Sequence, residues 1–95
     1  MAKDLFNLKD YGIIVFKSTS QALKAERVLK EISAEFLVIP TPRQISASCG
    51  LAVKVALEDL DFVRSALNDK MVQIEGVYRL TTEGGESHLE TLDHD

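Results

Sequence analysis

Cysteine occurs once in the 95-residue chain, at Cys49. A single cysteine excludes an internal disulfide framework and a CxxC pair for dithiol exchange. It is also too few for a structural zinc site within one chain. Histidine is confined to His88 and His94 near the C-terminus, so the body offers none to pair with the thiol in acyl transfer. No apolar run approaches the ~20 residues of a membrane span. The opening MAKDLFNLKD has no apolar stretch after its charges and does not read as a secretory leader. No GxxxxGK[ST] phosphate loop occurs. The expected setting is the reducing cytoplasm, without a membrane partner.

Positive charge is also missing from one region. All 11 Lys and Arg lie before Thr82, balanced there by ten acids, whereas Glu83, Glu86, Glu90, Asp93 and Asp95 follow with no basic residue. Neither part is the basic surface that nucleic acid requires. The acidic segment 83–95 also holds Gly84 and Gly85 and few apolar residues. Its composition predicts a disordered tail after a single domain over 1–82.

The body is patterned. Tyr11 to Phe16, YGIIVF, is a short β-branched apolar run that predicts a buried strand. Ser18 with Gln21 three residues later fits a capping box. Ala22, Ala25, Leu29 and Ile32 then recur at helical spacing. Phe36 to Ile39 predicts a second strand, stopped or held at an edge by Pro40 and Pro42. Leu51, Val53, Val55 and Leu57 alternate with Ala52, Lys54 and Ala56, predicting a strand with one buried face. Glu58, Asp59 and Asp61 open a second helix with Leu60, Val63 and Leu67 inward. A last strand is expected over 77–81, with a turn or bulge at Gly76. The order β-α-β-β-α-β predicts an α+β domain of ferredoxin-like form. It implies a four-stranded antiparallel sheet, strands one and three central, and both helices on one face.

That topology brings the start of the first helix, at Ser18, Thr19 and Ser20, to the same end as PTPRQISASCG, residues 40–50. The connection after the second helix returns to this end and can wall it. A helix N-terminus presents unpaired N–H groups and partial positive charge, which favour a thiolate. Arg43 adds a permanent cation nearby in sequence. Such surroundings activate a cysteine. Ser46 and Ser48 can donate to an anion, and Gly50 allows close approach of a bound group. With dithiol, Cys–His and metal chemistry set aside, a solitary thiol can carry a group, as a persulfide or selenosulfide. No cofactor is needed for that. It describes a carrier more than a turnover enzyme.

Other readings of the same residues stand beside it. Cys49 fits a buried, inert core thiol. Arg43 fits a surface ion pair, and Ser18 a helix cap. Arg43, Ser18, Thr19, Ser46 and Ser48 could together grip a phosphate or carboxylate in a non-catalytic binding module. An interaction or assembly role, with homo-oligomers through sheet edges, is a third option.

The segments FKSTSQALKAERVLKE and FLVIPTPRQISASCGLAVKV resemble the small selenium/sulfur carrier-like family. The resemblance runs from Tyr11 to Leu57 and rests on P-x-P-R-x-I-S-x-S-C-G, here Pro40 to Gly50. It implies that Cys49 is the carrier residue, framed by Arg43, Ser46, Ser48 and Gly50. It also implies transient protein partners, one donating and one accepting sulfur or selenium.

Overall fold

A computed structural model describes residues 4–94. The first strand, β1 (Asp10–Phe16), leads into helix α1 (Thr19–Glu31). Strands β2 (Leu37–Pro40) and β3 (Leu51–Ala56) follow, separated by the loop 41–50. A single 3-10 turn, Leu57–Asp59, feeds helix α2 (Leu60–Asp69). Strands β4 (Ile74–Glu83) and β5 (Glu86–His94) complete the chain. The strands form one sheet in the order β2-β3-β1-β4-β5, with every neighbouring pair antiparallel.

The helices form where their stripes dictate. Ser18 caps α1 by accepting the Gln21 N–H at 3.3 Å, which satisfies one orphan donor of the first turn. The reciprocal half of the capping box is absent, because the Gln21 side-chain oxygen accepts the Gln73 N–H at 2.8 Å instead. Ala22, Ala25, Val28 and Leu29 of α1 are buried, as are Leu60, Val63 and Leu67 of α2. Both stripes meet the face of the sheet that carries Ile14, Phe16, Val53, Val55 and Val77. Each Val, Leu, Ile or Phe fully buried in this way contributes about 1.5–3 kcal/mol relative to exposure. Both helices therefore lie on one face, and β1 sits at the middle of the sheet between β3 and β4.

The sheet has five strands and not the four expected. Residues 86–94, read from composition as part of a disordered tail, form β5 and pair with β4 from Gly76 to Glu83. Local geometry gives the reason. Gly84 and Gly85 take φ of +56° and +84°, the left-handed values that a tight two-residue hairpin turn demands at both central positions. Leu89 then stands opposite Leu80 and packs with it, while Glu86, His88 and Glu90 stay exposed. The His94 side chain and Asp95 lie outside the described residues.

Strand β3 also differs from the expected one-faced strand, since Ala52, Val53, Lys54, Val55 and Ala56 are all buried. The second face has its own cluster, built from Ile13, Val15, Ala52, Tyr78, Leu80 and Ile45. Ile45 comes from the loop 41–50 and folds over this face. Lys54 is covered there with its ammonium 4.1 Å from the centre of the Tyr11 ring. Among the described residues, no helix is long and apolar enough to cross a membrane.

Candidate functional site

Three segments converge at the end of the sheet where β1 stops. They are the start of α1, the loop 41–50 and the approach to β4. Lys17 N–H bonds the Gln73 carbonyl at 3.3 Å, and Gln73 N–H bonds Gln21 as above, so the start of α1 is tied to the approach to β4. Thr41 N–H bonds the Gly50 carbonyl at 2.9 Å, and the Thr41 hydroxyl donates to the Cys49 carbonyl at 2.9 Å. These two bonds close the neck of the loop. Ile45 N–H bonds the Pro42 carbonyl at 3.0 Å, turning the chain so that the buried Ile45 side chain reaches the open face of the sheet.

The loop straddles the sheet end. Ile45 and Ala47 join the cluster on one face, whereas Cys49 joins the core beneath the helices on the other. Cys49 is 2% exposed. Its thiol faces the Thr19 hydroxyl oxygen, at 3.8 Å, at the first residue of α1. The backbone N–H of Leu51, the first residue of β3, points at the sulfur from 3.4 Å. The sulfur is thus seated between the helix N-terminus and one backbone donor.

Sequence-based expectation and structure agree that Thr19 and Cys49 meet. Ser18 serves as the α1 cap. Ser46, Arg43 and Gly50 are exposed. No hydrogen bond or ion pair ties the Arg43 guanidinium to Cys49. Gly50 has ordinary backbone geometry, and a Cβ placed on it would meet nothing within 4 Å, so the conformation there does not require glycine. Ser48 is engaged elsewhere. Its N–H and its hydroxyl donate to the two carboxylate oxygens of Glu75, at 3.0 and 2.9 Å.

Glu75 and Thr41 are the residues that sequence reasoning missed. Glu75 owes its position to a bulge. Val15 pairs with Gly76 and Phe16 with Ile74, so Glu75 is the extra residue of β4 with no partner on β1. A bulge bends its strand and re-aims a side chain. Here the re-aimed carboxylate points at Ser48, one residue from Cys49. The expectation of a turn or bulge at Gly76 was the nearest available signal. Among the described residues, no group of three or more His, Cys, Asp or Glu side chains could hold a metal ion.

The fold and this end of it define a small α+β protein whose only thiol is held in a loop between a helix start and a bulged strand. A family model described as putative Se/S carrier protein-like matches residues 11–79, and the chain belongs to that family. The matched segment contains β1 through most of β4, including Thr19, Ser48, Cys49 and Glu75, and leaves out β5. No curated protein and no solved structure gives a significant match.

Proposed function

We propose that the chain is a carrier that holds sulfur or selenium on Cys49 as a persulfide or selenosulfide. The observation that supports this reading best is the seat of the sulfur, beside the α1 N-terminus and beneath the Leu51 N–H. Membership of the family whose description names Se/S carriers supports it independently. In the loading step the Cys49 thiol loses its proton to solvent, and the thiolate attacks the terminal sulfur of a donor persulfide. A new sulfur–sulfur bond forms as the donor's bond breaks, and the donor cysteine leaves as a thiolate. In unloading, an acceptor nucleophile attacks the same terminal atom and Cys49 leaves. No oxidant or reductant is consumed in either direction. A terminal selenium atom follows the same course.

Around that thiol, Thr19 accepts from the S–H before loading, and Ser46, Arg43 and Gly50 form the exposed surface that meets the donor and the acceptor. The partners are transient proteins, and the setting is the reducing cytoplasm, where one free thiol persists. We read strands β2-β3-β1-β4 with the two helices as a ferredoxin-like unit to which β5 is appended.

Burial of Cys49 favours a second reading, in which the sulfur is a wall of the core and the loop binds an anion. Its weakness is that the Glu75 carboxylate already occupies both Ser48 donors. The experiment that separates the readings is intact-mass spectrometry after incubation with a protein or small-molecule persulfide. A carrier gains one sulfur on the wild type and none on Cys49→Ser. An unmodified wild type across such donors sinks the carrier reading.

A further inference from the structure

We infer that Glu75 is a positioning residue for the Cys49 thiol, a latch whose hydrogen bonds to Ser48 keep the sulfur covered and whose release makes it reactive. The inference rests on the carrier reading for its purpose but not for its test.

Group transfer needs the sulfur to meet a second reactant, and at 2% exposure it cannot do so in the closed loop. Some part of the surrounding structure must therefore open. The neck of the loop is an unsuitable place, because Thr41 holds it by two bonds at Gly50 and Cys49. The far part is fixed by the buried Ile45. The segment between them, Ser46 to Ser48, packs Ala47 on the open face and is held across to β4 by the Ser48 contacts to Glu75 alone among the hydrogen bonds given above. Those two bonds lie at an exposed position, where water can replace them.

The bulge makes this contact a dedicated feature. In regular pairing every β4 residue from Ile74 to Thr81 would stand opposite a β1 residue, and Glu75 would be held in that ladder. Instead its carboxylate is turned toward the loop. Glu75 also lines a cavity of about 210 Å³ together with Arg64, Asn68 and Asp93. The cavity leaves the carboxylate room to withdraw on leaving Ser48, although Arg64 there is already bonded to Asp93 at 2.8 Å. Closed and open loops then differ by a side-chain movement at one strand residue and a short displacement of 46–48, with the sheet and helices unchanged.

The test is native-state alkylation of the full chain by iodoacetamide, which requires no sulfur donor. Loss of hydrogen bonds to a carboxylate should raise the fraction of open loop, and Glu75→Ala is expected to speed alkylation about tenfold. Glu75→Gln, which keeps the shape and one acceptor, and Ser48→Ala, which keeps the backbone donor, should fall between it and the wild type. Because the two residues act through one contact, the double variant should react no faster than Glu75→Ala. Urea titration separates local from global opening: the accelerated rate should be nearly independent of urea at low concentration. Unchanged alkylation in Glu75→Ala and Ser48→Ala overturns the latch, as does an acceleration that tracks global unfolding or adds independently in the double variant. Faster alkylation with no mass gain from a persulfide donor leaves the latch standing and removes the carrier reading.

Discussion

Arg79 grips Asp10 with a fork of two hydrogen bonds, Nε to one carboxylate oxygen at 2.9 Å and a terminal nitrogen to the other at 2.6 Å. Thr81 adds a third donor at 3.1 Å. The fork spans the start of β1 and the middle of β4. The Arg79 hydrogen bond is the main cause that holds the Asp10 carboxyl below its ordinary value of 3.8, against a smaller opposing effect of burial. A depressed folded-state pKa means a contribution present above the unfolded value and lost as pH falls through the folded one. Asp10→Asn should therefore be less stable than wild type at pH 7. The gap in urea midpoint should narrow in acid, below the unfolded carboxylate value of about 3.9. An equal gap across that range contradicts the assignment.

Gly12 lies on β1 directly under α2. A Cβ built there would stand 2.9 Å from one Leu60 methyl and 3.2 Å from the other. Leu60 is buried, so its side chain has little room to yield. Gly12→Ala is expected to cost about 1–3 kcal/mol by overpacking. Combining it with Leu60→Ala should remove the clash, so the two penalties will be less than additive in chemical denaturation. Strict additivity would place the cost of Gly12→Ala elsewhere.

The β4–β5 hairpin depends on a turn with positive φ at both central residues, which glycine adopts at no steric cost. With φ of +56° at Gly84, Gly84→Ala should cost about 1–2 kcal/mol. The effect should appear first as loss of hydrogen-exchange protection for amides of β5, with those of β1 and β3 retained. Uniform loss across the sheet would mean that the hairpin is not a separable unit.

Lys54 is almost fully buried on a central strand, and desolvation lowers its pKa against a smaller opposing pull from Asp4. A folded-state value below the unfolded 10.5 means that the unfolded chain binds more protons between the two, so stability from this group rises with pH there. Lys54→Met keeps the apolar stem and removes the charge. It should be at least as stable as wild type at pH 7, with an advantage that shrinks as pH approaches 10. A wild type that gains nothing over this range relative to Lys54→Met would show that the ring contact with Tyr11 outweighs desolvation.

Much of the site was readable in the chain because its logic is local. The Ser18 cap, the helical stripe of α1 and the proline stop after β2 are set by neighbours within a turn or two. With the crossover rule, they brought Cys49 to Thr19. Three features escaped for different reasons. The Glu75 bulge is a property of register between strands some sixty residues apart in sequence, and no local pattern announces it. Burial of Lys54 and of both faces of β3 depends on Tyr11 and on Ile45 folding back over the sheet. The fifth strand was misjudged on composition, although Gly84–Gly85 between Thr81–Glu83 and Glu86–Leu89 carries a hairpin signal. Average acidity and sparse apolar residues concealed a turn geometry that acts through two positions.

The close fit around the Cys49 sulfur has a consequence for any atom placed on it. A terminal sulfur or selenium would need volume where Thr19, the Leu51 amide and the core beneath α1 already touch the thiol. If Cys49 carries an atom as proposed above, loaded and empty chains cannot share one shape at this end of the sheet, and the contour of the loop would itself differ between them.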